Sequence, residues 1–466
     1  MSPLSKVMAV IVLPVLVACS DSDNNNFSLD GTQEKAELRV THASADAPAV
    51  NVYVDGNAVL EGVAFKQSSG LLEIAEPGTI EVEVRGILPD GSEVTVIGPV
   101  DLTLEGGERT DVVAIGNLFD GQGAISVAPK VLDPVEIEDS VSDVRVSVLH
   151  AAPDAGAVDI YVTAPDDDLA GNAPISAAFN DAVGPVALAA DTPYQIRITP
   201  QSSSEVVFDS GTLTFPAGTE LVLVAVENTY KVGGKSPVTL VAAGPQGATE
   251  VVDVNMGAAV RVVHNSADTP AVDVLVNGTE AINALTFPNA TKYSELEAPA
   301  GTYNVVVAAD ENNSIAPIDE DLTLEATKSY TVIAVGSLVD SSLAPIVTED
   351  DRRNIATAAI VEVIHGSYQV AGQIPVDVYL TSDGVIADAT PAISDLSYQE
   401  RTGQLAVTPG DYWITVTVAG DKSTVAFDTG GPLGLEAGVN YTVIARDPSV
   451  QEGAGSPLIN VTLLTD

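Results

Sequence analysis

Each of the chain's four histidines stands in the same local setting, and that recurrence restricts the fold more than any other feature of the sequence. The segments are Arg39-Val40-Thr41-His42-Ala43-Ser44-Ala45-Asp46, Val146-Ser147-Val148-Leu149-His150-Ala151-Ala152-Pro153-Asp154, Arg261-Val262-Val263-His264-Asn265-Ser266-Ala267-Asp268 and Val361-Glu362-Val363-Ile364-His365-Gly366-Ser367. An alternating run follows each: Val50 to Val54, Val158 to Val162, Val272 to Val276 and Val376 to Leu380. The intervals 42 to 150, 150 to 264 and 264 to 365 are 108, 114 and 101 residues, a period of about one small domain. Two further markers recur in phase. One is a turn into a strand at Pro77-Gly78, Pro193, Gly301 and Pro409-Gly410; the other is a late apolar run at Val113, Val224, Ile333 and Ile444.

Within each repeat, apolar and polar residues alternate with period two, as in Ile80-Glu81-Val82-Glu83-Val84, and turn residues recur about every ten positions. Val, Ile and Thr dominate, and no stretch keeps a helical period. The expectation is all-β: four tandem Ig-like β-sandwiches of about seven short strands each. Their bounds are expected at 36–133, 144–245, 258–348 and 359–466, with short linkers near Leu132 to Asp143, Gly244 to Gly257 and Glu349 to Ala358, forming a semi-rigid rod. The first and third repeats share the arginine three before the histidine, Ser-Ala-Asp after it, and an Asp/Asn-Gly hairpin turn at Asp55-Gly56 and Asn277-Gly278. The second and fourth share longer acidic loops and Phe-Asp-Ser/Thr-Gly at Phe208 and Phe427. A duplicated two-repeat unit is the simplest account.

The opening pattern Arg-Val-x-His-x-Ser-x-Asp-x-Pro-Ala-Val-Asp-Val-x-Val resembles the bacterial domain of unknown function 4397, an Ig-like domain of exported and surface-anchored proteins. The first and third copies follow the pattern closely, with Asn51 for Asp in the first. The second has Ala152 in place of Ser44, and the fourth has Gln369 at the Asp position and an insertion before Val376. The resemblance implies a fold and a location but no activity.

Residues 1–18 look like a lipoprotein signal peptide. Lys6 is followed by an apolar run from Val7 to Ala18, too short to cross a bilayer. It ends in Leu16-Val17-Ala18-Cys19, which resembles a lipobox and implies lipidation of Cys19. Two or three acyl chains would hold the protein to a membrane without crossing it. Ser20 after the cysteine, by bacterial sorting rules, implies an outer-membrane lipoprotein facing the periplasm or the cell surface. Residues 19–35 read as the lipidated cysteine and a polar tether. Cys19 is the only cysteine, so no internal disulfide can form. With 65 acidic against 19 basic residues, a net charge of −46 repels polyphosphates, which argues against nucleic acid as a partner. Hydrophobic content of 45% is too high for a disordered acidic chain.

Chemistry-bearing motifs are few. His42, Ser44 and Asp46 share a strand face, but residues two apart lie about 6–7 Å apart along it, beyond the reach of a Ser–His pair. His42, His150, His264 and His365 are better read as structural repeat markers bonding backbone where one strand turns to the next. They are spread over four domains, so they cannot converge on one metal. Calcium would suit the acidic clusters Asp166-Asp167-Asp168, Asp319 with Asp321, and Asp350-Asp351, although no EF-hand-type loop is present and a solvated surface accounts for them. Gly233-Gly234-Lys235-Ser236 lacks the leading glycine of a phosphate loop, and no Gly-x-Ser-x-Gly or His-Glu-x-x-His occurs. Trp413, the sole tryptophan, is expected in or near a core.

The expectation is a non-enzymatic, membrane-anchored surface lipoprotein with no required cofactor. It would act as an adhesion, spacer or envelope-interaction module toward surface proteins or polysaccharides. The alternatives are a calcium-stiffened rod or glycan-binding module, and a hydrolase built from loop carboxylates.

Overall fold

The alternation of β-branched and polar residues builds two four- or five-stranded sheets in every repeat. The structure is a computed structural model and describes residues 34–118, 127–137, 143–230, 232, 236–296, 301–310, 316–368, 374–449 and 458–466. Repeat 1 contains β1 (Ala36–His42), β2 (Val50–Val54), β3 (Asn57–Val63), β4 (Leu72–Ile74), β5 (Gly78–Ile87), β6 (Glu93–Leu104), β7 (Glu108–Ile115), β8 (Ala128–Val131) and β9 (Val135–Glu136). Repeat 2 contains β10 (Val144–His150), β11 (Val158–Thr163), β12 (Ile175–Ala177), β13 (Ala182–Leu188), β14 (Pro193–Pro200), β15 (Phe208–Thr214), β16 (Glu220–Glu227), β17 (Val238–Gly244) and β18 (Gly247–Val251). Repeat 3 contains β19 (Ala259–His264), β20 (Val272–Val276), β21 (Thr279–Leu285), β22 (Ser294–Glu295), β23 (Gly301–Ala309), β24 (Ile318–Leu324), β25 (Ser329–Val335) and β26 (Ala344–Asp350). Repeat 4 contains β27 (Ala359–His365), β28 (Val376–Thr381), β29 (Ile393–Leu396), β30 (Arg401–Val407), β31 (Gly410–Val418), β32 (Asp421–Asp428), β33 (Leu433–Leu435), β34 (Asn440–Arg446) and β35 (Asn460–Thr465).

One topology recurs four times. In repeat 1 the sheets run β4-β1-β7-β8 and β3-β2-β5-β6; in repeat 3 they run β22-β19-β25-β26 and β21-β20-β23-β24. In each repeat the histidine strand lies parallel to the late apolar strand, with His42 opposite Ala114, His150 opposite Ala225, His264 opposite Ala334 and His365 opposite Ala445. Eight or nine strands per repeat exceed the expected seven. The extra ones are edge pieces of two to five residues, such as Leu72–Ile74, too short to show an alternation.

Each sandwich encloses a core of small aliphatic side chains, such as Leu38, Val52, Val84, Ile97 and Leu104 in repeat 1. The late strands have a second buried face. Val113 and Ile115 meet Leu149, Val222, Val224 and Val241 in a seam between repeats 1 and 2. Val263, Ile333, Val335, Ile346, Ile364 and Ile444 form the matching seam between repeats 3 and 4. Uninterrupted runs such as Leu221 to Val226 follow from this, because strands covered on both faces need apolar residues at every position. Each buried Val or Ile contributes about 1.5–3 kcal/mol.

The expected rod is therefore corrected: the repeats pack as two face-to-face pairs, because the first sheet of each is apolar on both sides. The linkers are corrected too. The stretch from Gly244 to Gly257 contains β18, which pairs with β17 and extends repeat 2 beyond residue 245. In the first linker, β9 pairs with β7, and in the third, β26 runs to Asp350. The third linker then docks across the two pairs: Arg352 donates to the Tyr230 carbonyl at 3.1 Å, Ala356 N–H to the Asp46 carbonyl at 2.8 Å, and Arg353 lies 5.5 Å from the Phe65 ring centre.

Candidate functional site

Three of the four histidines bond the turn that leaves their first strand, whereas both ring nitrogens of His365 are buried with no hydrogen-bond partner among the described residues, which corrects the expectation for the fourth repeat. His42 Nε2 lies 3.0 Å from the Pro48 carbonyl, and His42 Nδ1 accepts from Ser44 N–H at 3.3 Å. His150 and His264 repeat this, with Gly156 and Pro270 carbonyls at 2.7 and 3.0 Å and the amides of Ala152 and Ser266 on Nδ1. An imidazole bridging a donor and an acceptor in this way is held in one neutral tautomer. His365, whose repeat carries the insertion, is fully buried against Tyr398, and Ile374 is the residue at the position of Pro48. Burial lowers the pKa of His42 to about 4, and lowers those of His264 and His365.

No catalytic triad forms at His42. The Ser44 hydroxyl donates to Asp46 at 3.3 Å, and the Asp46 carboxylate accepts the Leu118 amide at 2.6 Å. Asp268 does the same in repeat 3, accepting from Ser266, from the Ser337 hydroxyl at 2.6 Å and from the Leu338 amide at 3.0 Å. The Ser-x-Asp motif thus ties the loop after the histidine to the loop after the late strand.

The aspartate of the alternating strand has a role that sequence reasoning missed. Asp159, Asp273 and Asp377 are buried although alternation places them opposite the core. In repeats 1, 3 and 4 the second strand meets its neighbour at a β-bulge, and the side chain caps the bulged amide: Asn51 accepts Gly62 N–H at 2.8 Å, Asp273 accepts Ala284 N–H at 2.9 Å, and Asp377 accepts Asp395 N–H at 2.9 Å. The capped residues have φ of 65°, 53° and 54°, a left-handed conformation that needs such support in a non-glycine residue. In repeat 2, Asp159 instead accepts from Ser176 and the Ser202 amide. Asp273→Ala is expected to cost about 1 kcal/mol by removing the acceptor that holds the Ala284 amide in the bulge. Asp273→Asn, which keeps the acceptor as Asn51 does, is expected to restore most of it; urea unfolding of the two variants checks both.

The arginine shared by repeats 1 and 3 crosses the seam. Arg39, 2% exposed, pairs with Asp111 at 2.5 and 3.1 Å and donates to the Ala243 carbonyl of repeat 2 at 2.7 Å. Arg261 donates to Thr331 and reaches repeat 4 at Thr442 and Asp466, at 3.2 and 3.1 Å. It also stacks on one side of a chain of contacts around Tyr293, with Arg261 4.5 Å and Arg352 4.0 Å from the ring centre. At the rim of the first seam Arg109 bridges Glu37 of repeat 1 and Glu220 of repeat 2, and Lys66 pairs with Glu250 at 2.6 Å. Nearby, burial and the charge of Asp154 raise Glu227 to about 7.

The acidic clusters are engaged in local bonds. Asp350 accepts from Tyr293, Thr331 and Thr348 at 2.6–2.8 Å. Asp351 caps the Arg353 amide, Asp168 caps Ala170, and Asp319 and Asp321 both accept from Asn304. Asp166 has φ 62° and donates its amide to Gln195, while the Asp167 carbonyl accepts from Arg197. Among the described residues, no three His, Cys, Asp or Glu side chains come together to hold a metal. Trp413 is half-buried against Gly384, where an added Cβ would sit 3.0 Å from the indole. Cys19 and Gly233 to Lys235 lie outside the described residues, as does Gln369. Among the described residues, no helix is long and apolar enough to cross a membrane.

Two clefts open at the junctions. One, of about 410 Å³, is lined by Phe65, Lys66, Tyr230, Glu250, Lys328 and Arg353, with its lysines paired to carboxylates. The other, of about 690 Å³, lies between Pro288 to Tyr293 of repeat 3 and Thr462 to Asp466 of repeat 4, with Arg261, Lys292 and Arg352 in its lining.

Among solved structures, the Bacillus anthracis TIE protein aligns over 89% of this chain and 68% of its own at 10% identity, with a TM-score of 0.13, too low to carry an argument. No curated protein matches. A family model matches three times, at residues 36–161, 144–255 and 258–379; the first and third matches run into the second strand of the following repeat, and repeat 4 beyond Tyr379 shares the topology without a match. The chain belongs to the family described as Domain of unknown function (DUF4397), in repeated copies.

Proposed function

We propose that this protein is a non-enzymatic lipoprotein, anchored through Cys19 to the outer membrane, whose paired β-sandwiches act as an adhesion, spacer or envelope-interaction module. The observation that carries the reading is Leu16-Val17-Ala18-Cys19 at the end of a short apolar run, followed by a polar tether. The surplus of acidic residues keeps such a module soluble in salty surroundings and away from polyanions. The paired repeats supply sheet edges for protein contact, and the histidines of the first three repeats and the Ser-x-Asp motifs are engaged in turns.

Cys19→Ala is expected to move the protein from the detergent-rich to the aqueous phase in phase partitioning and to abolish incorporation of a labelled fatty acid. A wild-type protein that takes up no label would overturn the anchoring. The interaction role is checked by pull-down of envelope and extracellular components with the chain lacking residues 1–19, with and without calcium. Failure to retain any envelope component reproducibly would remove the adhesion claim while leaving the anchor in place.

A further inference from the structure

The two seams between paired sandwiches can be compared position by position. Ala43, Ala151, Asn265 and Gly366 each follow a repeat histidine and donate their amide to the alanine of the late strand, Ala114, Ala225, Ala334 and Ala445, at 2.8–3.0 Å. All four are buried. Ala43 and Ala151 belong to the apolar seam between repeats 1 and 2, and Asn265 bonds across the other seam into repeat 4. At this place the first seam has a methyl on each side, where the second has an amide on one side and no side chain on the other.

Asn265 and Gly366 fit each other. The Asn265 amide nitrogen donates to the Gly366 carbonyl at 3.1 Å and to the Ala445 carbonyl at 3.3 Å, and a Cβ on Gly366 would lie 2.5 Å from that nitrogen. Gly366 has no positive φ, so the close approach of Asn265, and not the backbone conformation, calls for glycine. The arginines differ in the same sense. Arg39 has its counter-charge in its own repeat, at Asp111, whereas Arg261 has Thr331 at that place and reaches across the seam to Thr442 at 3.2 Å and Asp466 at 3.1 Å. By register, the repeat 2 residues at the places of Thr442 and Asp466 are Val222 and Pro245.

We infer that these two sets of residues form a pairing code, by which repeat 3 accepts repeat 4 and rejects repeat 2, in its own chain and in a neighbouring copy. The aliphatic seam residues alone, Val113 and Val224 in one seam and Ile333 and Ile444 in the other, attract without direction and do not distinguish these partners. Against repeat 2, the Asn265 amide would meet the Ala151 methyl. Arg261, 4% exposed, would then be buried against Val222 and Pro245 with a carboxylate at neither place. A clash and an unpaired charge in the wrong pair set the preference without any added attraction in the right one. Repeat 4 is matched to repeat 3 in turn, since Ala43 opposite Gly366 would leave a methyl-sized gap and deprive two carbonyls of the amide. The inference concerns pairing alone and stands whether or not the chain is lipidated.

The test uses the chain from residue 20 with all four repeats. Gly366→Ala, which puts the methyl of the first seam into the second, is expected to lower the melting transition of repeats 3 and 4 by about 5 °C or more. Asn265→Ala added to Gly366→Ala rebuilds the Ala–Ala contact of the first seam and is expected to recover most of that shift. Selectivity is read separately, by light scattering after unfolding and refolding at high concentration. The wild type is expected to return as monomer, whereas Asn265→Ala with Gly366→Ala and Arg261→Met, which erases both parts of the code, is expected to leave a dimer fraction through exchange of repeats between copies. Should the triple variant fail to fold, the melting comparison still decides. A double variant no more stable than Gly366→Ala, a folded triple variant that returns wholly as monomer, or dimers in the refolded wild type would each overturn the assignment.

Discussion

Arg39→Ala is expected to destabilise the first pair of repeats by about 3–5 kcal/mol, the cost of breaking a buried ion pair and leaving its partner charged. Arg39 is the largest fully buried side chain among the described residues, and Asp111 beside it is 7% exposed. The substitution strands the Asp111 carboxylate in the sheet and removes the bond to Ala243 that spans the seam. A calorimetric melt should show the transition of repeats 1 and 2 moving down while that of repeats 3 and 4 stays. Arg39→Met with Asp111→Leu is expected to recover most of the loss, since an apolar pair of similar size carries no desolvation penalty. Arg261→Ala is expected to cost less, because Thr331 stands opposite it where Asp111 stands opposite Arg39, and the carboxylate it reaches, Asp466, is more exposed and keeps Arg352 at 3.9 Å. A loss below about 1 kcal/mol for Arg39→Ala would show that the seam does not depend on this residue.

The second large effect is on acid stability. The unfolded chain binds a proton on His42 near its ordinary pKa of 6.5, whereas burial delays this in the folded protein to about 4. The unfolded state therefore binds more protons across that window, so stability is full above pH 6.5 and falls as the pH drops toward 4. The lowering corresponds to about 3 kcal/mol for His42, with His264 and His365 adding in the same direction. Glu227 works the other way. Raised to about 7, it keeps its proton in the folded state where the unfolded chain has lost it, so its contribution declines as pH rises from 4.5 to 7. Urea unfolding across pH 4 to 7.5 should show the net fall, with His42→Gln flattening it and Glu227→Gln steepening it. A His42→Gln profile superimposable on wild type would refute the histidine as the source.

Much of the fold was legible because its signals are local. Period-two alternation, Gly and Pro turns and the histidine period each reflect contacts within about ten residues, and they place four β-sandwiches correctly. The short edge strands were invisible, being too brief to alternate, and so was β18, which reads as a linker because Gly-Ala-Thr-Glu-Val gains its strand character from β17 beside it. The buried aspartates were equally hidden. Asp273 looks solvent-facing until the bulge at Ala284 turns an amide toward it.

By itself the sequence determined the number of repeats, their all-β character, the relatedness of the first with the third and the second with the fourth, and the acidic character of the whole. Only the tertiary structure decided which sheet faces meet. The run Leu221 to Val226 carries apolar residues on both sides of its strand, and nothing local distinguishes the side facing its own sandwich from the side facing a neighbour. That choice depends on contacts between residues one to two hundred positions apart, such as Val113 with Val224 and Arg39 with Ala243. It turns an expected rod into two pairs.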